Sequence, residues 1–289
     1  MKPGSGSMLQ LLRRLCGRRS AAASLAFLLL VALAALLADW LPLDPLTQSL
    51  ADSLMPPSAA AWFGTDELGR DILARVVYGA RTSLVTAFGA VVIAAAIGVP
   101  VGLVAGFFDD WRDSLLMRCI DVLLALPNIL FAMALIAVLG RSQAAALVAV
   151  GIAGVPTFAR IARAQVMALR QLDFVAATRS FGGSSGYIMF RTILPNAMSP
   201  LVVQAIVLAS IAILLEAALA FLGVGVPPPT PSWGEMLRTG KSYLHEAPTY
   251  AVLPGLVLTL TILSFDTIGR ALTALLDKHD ADLPERRGP

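Results

Sequence analysis

Three carboxylates lie within or at the edge of long apolar runs: Asp121, Asp266, and Glu216 in Ile213-Leu214-Leu215-Glu216-Ala217-Ala218. A charge at the centre of a membrane span costs about 2.5–3.5 kcal/mol on insertion scales, so each should face protein or water. They could line a solute path, or they could be polar contacts between helices. Asp121 and Asp266 could also share one proton as an intramembrane aspartyl protease dyad. Neither aspartate lies in a motif for that chemistry. A self-sufficient secondary carrier would show internal repeats and paired broken helices, and no repeat is evident.

Other chemistry is poorly supplied. Cys16 and Cys119 lie far apart, and His245 and His279 lack a second ligand at a useful interval, so neither a disulfide framework nor a metal site is expected. No glycine-rich phosphate loop ending in Lys-Ser/Thr occurs, so the chain is expected to bind no cofactor and to leave ATP to another polypeptide.

The second notable stretch runs from Arg160 to Asn196, where Arg160, Arg163, Arg170, Arg179 and Arg191 face the single acid Asp173. It reads as a cytoplasmic platform between two apolar runs. Within it, Asp173-Phe174-Val175-Ala176-Ala177-Thr178-Arg179-Ser180-Phe181-Gly182-Gly183 predicts a short helix. Asp173 would be its N-cap, and Gly182 or Gly183 would take the left-handed position after its end. Phe174, Ala177 and Phe181 form an apolar stripe on a helix too short to be stable alone, so it needs a groove to lie in. Ser185 to Leu194 predicts a second short helix, stopped by Pro195. A solvated loop lying on the lipid surface fits the same pattern.

The elements that must hold these groups follow from composition. Of 289 residues, 57% are hydrophobic and 14% charged, with mean hydropathy +0.77. Soluble domains carry about 25% charged residues, so this is an all-α integral membrane chain with the lipid bilayer as its surroundings. At about 20 residues per span there is room for six spans and no separate soluble enzyme domain. The formal charge of +3 offers no basic face for nucleic acid.

Taken in order, residues 1–19 are a basic tail with Lys2, Arg13, Arg14, Arg18 and Arg19, cytoplasmic by the positive-inside rule. The apolar run 20–38 exceeds a signal-peptide core and reads as the first span. Residues 39–81, proline-rich at first and with more acids than arginines, read as extracytoplasmic. A core over 82–272 follows, with spans at about 83–108, 115–139, 144–162, 201–222 and 250–268 and a cytoplasmic loop at 163–196. Residues 273–289 form a second cytoplasmic tail. Gly98, Gly102 and Gly106, at every fourth position of the second span, leave a helix face that a neighbouring backbone can approach.

Several motifs then resemble a known family. Trp62-Phe63-Gly64-Thr65-Asp66-Glu67-Leu68-Gly69-Arg70-Asp71 followed by Tyr78-Gly79-Ala80-Arg81-Thr82-Ser83-Leu84 is similar to the segment leading into the transport core of dipeptide and oligopeptide ABC-importer permeases, C-type subunit. The platform resembles that family's Glu-Ala-Ala…Gly…Leu-Pro loop, with Gly182 and Leu194-Pro195 at its spacing. Glu216-Ala217-Ala218-Leu219-Ala220-Phe221-Leu222-Gly223 and Pro231-Ser232-Trp233-Gly234 resemble its fifth span and outer loop. The resemblance covers about residues 62–270. It departs at Ala176, where the family has Glu, at Thr178 and Thr192, and in the last span, which reads Phe265-Asp266-Thr267-Ile268-Gly269-Arg270.

The resemblance implies a type I importer transmembrane domain with an extra N-terminal span, in a bacterial plasma membrane with both termini cytoplasmic. The chain would be a non-catalytic permease subunit carrying di- or oligopeptides or a related solute such as a nickel chelate. Its partners would be a homologous permease, two ATPase subunits that use the ATP, and an extracytoplasmic solute-binding protein. Asp173, Phe174, Ala176, Ala177, Phe181, Gly182, Leu194 and Pro195 would then form the coupling segment seated on the ATPase.

Overall fold

The computed structural model describes residues 17–281, with side chains to residue 276. Most of the basic tail (1–16, with Cys16) and residues 282–289 lie outside the described residues, as do the side chains of 277–281, including His279. Described residues are nearly all helical; one isolated bridge, Thr65 to Asp71, is the only extended pairing among them.

Helix α1 (Arg19–Leu36) is peripheral, burying only Ala21, Val31 and Ala35. It ends in a 3-10 turn at Ala38–Trp40 and packs on α2 and the last helix. Helix α2 runs Ile72–Phe107, eleven residues earlier than the expected second span. Asp71 caps it by accepting the Leu73 amide at 2.8 Å. The charges of Arg75 and Arg81 suggested loop, but both are ion-paired, Arg75 to Asp66 and Glu235 and Arg81 to Asp39, so helix continues through them.

The expected span at 115–139 is two helices, α3 (Trp111–Leu124) and α4 (Asn128–Leu139), bent by 88° at the break. Pro127 lies at that break; it biases Leu126 away from helical geometry, and its own missing amide is harmless just before a helix start. Helix α5 (Gln143–Leu169) passes the expected end at 162, and α6 is the short helix Asp173–Ser180. The segment Ser185–Phe221, α7, is one continuous element, not a short helix and a separate span. Its turn at Ile188–Ile193 is a widened π-helix, which moves the carbonyl that the Pro195 ring would otherwise strike. The platform loop therefore contracts to the residues between Leu169 and Ser185.

Helix α8 (Trp233–Gly240) lies outside the spans, and α9 (Thr249–Ala281) extends into what was expected to be tail. Five helices (α1, α2, α5, α7, α9) are long and apolar enough to cross a membrane, and the bent pair makes a sixth.

The centre is the α2–α5 pair. A Cβ on Gly98, Gly102 or Gly106 would meet the carbonyl oxygens of Val155, Ala159 or Arg163 at 2.6, 2.3 and 2.7 Å. The two backbones touch, and the glycine spacing is what permits it. Helices α7 and α9 complete the core around Ala87, Ala90, Ala149, Ala212 and Ile213.

Candidate coupling surface and intramembrane polar sites

The α6 helix buries one residue. Val175 is buried among Leu103, Val166, Ile188 and Ile193, from α2, α5 and the π turn. Asp173 is not the N-cap: Leu172 holds that position, without a side-chain bond, and Asp173 occupies the first turn, where its charge still favours the helix dipole. The C-terminus closes as a Schellman motif. The Gly183 amide donates to the Thr178 carbonyl and the Gly182 amide to the Arg179 carbonyl, both at 3.0 Å. Gly182 sits at φ +81, the left-handed region glycine reaches without strain.

The stripe expected to need a groove finds none in this chain. Phe174, Ala176, Ala177 and Phe181 are exposed, Phe181 at 92%. Leu172, Tyr187 and Phe190 extend the exposed apolar surface around them. Leu194 is half-buried against the base of α5 while Pro195 is exposed, so these two frame the segment's return into α7.

The basic character of the platform is largely neutralised, which the sequence reading missed. Arg163 makes a two-toothed pair with Asp113, both bonds 2.6 Å. Arg170 reaches Asp109 at 3.0 Å and the Gly106 carbonyl at 3.1 Å. Arg160 meets Asp121 at 2.7 Å. The available signal was the acid-rich stretch 109–121, whose acids recur at intervals near those of the three arginines. Arg179 stacks over Phe107, 5.8 Å from its centroid.

The three candidate carboxylates are not brought together. Asp121 is on α3, paired with Arg160 of α5; Asp266 is on α9, 2.8 Å from Arg270 of the same helix. Each has its own arginine, so no shared-proton dyad exists. Glu216 is fully buried; its Oε2 accepts the Ser83 hydroxyl at 2.9 Å, joining α7 to α2, and its Oε1 has no hydrogen-bond partner.

A buried charge network at the opposite end was also missed. Asp66, Arg70, Arg75 and Glu235 are all buried. Asp66 Oδ2 takes Arg70 at 2.6 Å and Arg75 at 3.3 Å, Arg75 reaches Glu235 at 3.2 Å and the Pro45 carbonyl at 3.3 Å, and Asp66 Oδ1 accepts two backbone amides. Trp233 is fully buried and donates its indole N–H to the Val76 carbonyl at 2.9 Å. The motif around residues 62–71 and the segment 233–235 thus both fasten onto the start of α2, at Arg75 and Val76. Among the described residues no cluster of His, Cys, Asp and Glu could hold a metal ion.

Residues 98–279 match the family described as the binding-protein-dependent transport system inner membrane component. Residues 7–57 match the N-terminal transmembrane domain of oligopeptide transport permease C. The chain is 44% identical over 227 residues to a dipeptide transport system permease protein of Alkalihalophilus pseudofirmus, covering 78% of this chain and 75% of that one. It is 42% identical over 266 residues to a di/tripeptide transport system permease protein of Pseudomonas aeruginosa (90% and 88% covered). To a glutathione transport system permease protein of Pectobacterium atrosepticum it is 40% identical over 257 residues (89% and 85%). Among solved structures, an inward-facing MetNI methionine ABC transporter aligns with a TM-score of 0.53 at 20% identity, over 70% of this chain and 97% of that one. That likeness is one of fold.

Proposed function

The chain belongs to the binding-protein-dependent inner-membrane transport components, the permease subunits of ATP-driven importers, and from that premise we propose that it carries short peptides and is driven through α6. As a permease it is a non-catalytic transmembrane subunit, which leaves ATP hydrolysis to its partners. The relatives found are permease proteins named for dipeptides, di/tripeptides and glutathione, matched over 75%, 88% and 85% of their own length, and none of these observations favours a nickel chelate.

The finer arrangement follows the same reading. The chain lies in the bacterial plasma membrane with both termini and α6 on the cytoplasmic side, and with residues 38–71 and α8 outside. It pairs with a homologous permease, two ATPase subunits and one extracytoplasmic binding protein. Asp173, Phe174, Ala176, Ala177, Phe181 and Gly182 make the ATPase contact, and Leu194-Pro195 returns the chain to the membrane.

The observation that carries the coupling role is that α6 is held to its own chain by Val175 while its aromatic side stays uncovered. A cleft closing on Phe174 and Phe181 would pull on α6, and Val175 would pass that motion to α2, α5 and the base of α7. Ala176 in place of the family's Glu leaves apolar fit, with Asp173 as the nearby acid, to make the contact.

The test is uptake of a labelled dipeptide by cells that lack their own peptide importers and express the full transporter. Phe181→Asp should lower both uptake and peptide-stimulated ATP hydrolysis at least tenfold while the chain still inserts and assembles. Wild-type-like uptake in that variant would remove α6 from the coupling role. A wild-type transporter that moves no dipeptide or tripeptide would remove the cargo assignment.

A further inference from the structure

Halfway along the spans, one side of the molecule is unexpectedly polar. Thr157 lies near the middle of α5, Gln204 near the middle of α7, and Asn128 opens α4 directly after the 88° bend. The three line one cavity of about 160 Å3, with Val150, Val207 and Leu208 as its apolar wall. Thr157 and Asn128 are exposed and Gln204 is half-buried. Among the described residues none of the three side chains hydrogen-bonds another group.

Unpartnered carboxamides and hydroxyls at this depth do not face hydrocarbon, where each would lose its water without return. A second feature marks the same side independently. Arg160, one turn beyond Thr157 on α5, and Asp121, before the bend, form an ion pair whose partners remain 56% and 59% exposed. An ion pair left so open on a membrane helix requires water or protein beside it. Glu216, by contrast, is sealed inside the chain.

We propose that Asn128, Thr157 and Gln204 form a mid-membrane subsite that hydrogen-bonds the main chain of a peptide in transit; this rests on the peptide reading above. The chemistry is specific in one sense and indifferent in another. Each carboxamide offers both a donor pair and an acceptor, and the hydroxyl offers one of each, which suits the N–H and C=O that nearly every peptide residue carries. The three carry no charge, so they neither select a charged side chain nor hold a cargo too tightly to release. The cavity has room for a main-chain amide or the few waters that would replace it.

The experiment uses the assembled transporter in membrane vesicles, with Cys16→Ser and Cys119→Ser as background and Thr157→Cys as the reporter. A small hydrophilic maleimide should alkylate Thr157→Cys, and a saturating dipeptide delivered by the binding protein under turnover should slow that labelling several-fold. Gln204→Leu should lower maximal dipeptide uptake about tenfold, the loss expected for one unreplaced hydrogen bond, with Gln204→Asn recovering part of it. A Thr157→Cys that never labels would mean the strip is packed against another helix, and would overturn the subsite. Labelling unaffected by dipeptide would overturn it too, as would normal uptake by Gln204→Leu. In each of these cases dipeptide uptake by the parent transporter leaves the peptide reading standing; its absence would defeat that reading first.

Discussion

At the scale of single residues, the structure separates carboxylates that the sequence placed on equal terms. Asp121 and Asp266 are exposed and satisfied by arginines, so each pair adds little to stability, roughly 0–1 kcal/mol. Glu216 is different because burial is complete and its one bond is to Ser83. Its place between α2 and α7 makes it a polar contact that fixes the rotation of the two helices. Glu216→Gln therefore keeps the shape and the Ser83 bond and should change the unfolding temperature of the detergent-solubilised chain little. Glu216→Ala leaves both a cavity and an unpaired Ser83, and should cost about 2–4 kcal/mol. Equal damage from both variants would show that the carboxylate charge itself is required, and would return Glu216 to the solute path.

At the scale of elements, the close approach of α2 to α5 is the feature most legible in advance. Gly98, Gly102 and Gly106 recur at a helical interval, and no tertiary knowledge is needed to see the bare face they create. Gly102→Ala should therefore destabilise by about 1–3 kcal/mol through overpacking against Ala159, whereas Gly186→Ala, with nothing within 4 Å of its Cβ, should be neutral within roughly 0.5 kcal/mol. A thermal melt of the two purified variants checks the contrast, and equal melting temperatures would refute it. The glycine corner at Gly182 was legible for the same local reason. What could not be read were features decided by distant residues. The start of α2 was hidden because Arg75 is neutralised by Asp66 and Glu235, the latter 160 positions away. Pro195 looked like a stop because the π turn that absorbs it leaves no mark in the sequence. The stripe Phe174, Ala177 and Phe181 was visible, yet Val175 is the side chain that buries in this chain, because its seat is assembled from three other elements.

At the scale of the whole molecule, the two ends differ in how they are held, and the difference suits a lever. The end bearing Asp66, Arg70, Arg75 and Glu235 is locked by buried charges that join the segment before α2, α2 itself and α8. At the end bearing α6, that helix is held by Val175 and by Arg179 over Phe107, and the ion pairs beside it are partly or largely open to solvent. Force applied at α6 would then swing the spans about a fixed far end instead of sliding the molecule bodily. Arg75 is the critical point of that fixed end, since its guanidinium touches Asp66, Glu235 and the Pro45 carbonyl at once. Arg75→Met leaves Glu235 Oε2 without its partner and Asp66 with Arg70 as its only cation, and should cost about 3–5 kcal/mol. Arg75→Lys should recover little of that, because an ammonium cannot span the same three acceptors as a planar fork. Being buried, the network should also resist screening: raising salt from 0.1 to about 1 M, which shortens the Debye length from roughly 10 to 3 Å, should leave the wild-type melting temperature nearly unchanged. A large salt-induced drop, or an Arg75→Lys variant as stable as wild type, would show that the far end is held by something other than these charges, and the lever would lose its pivot.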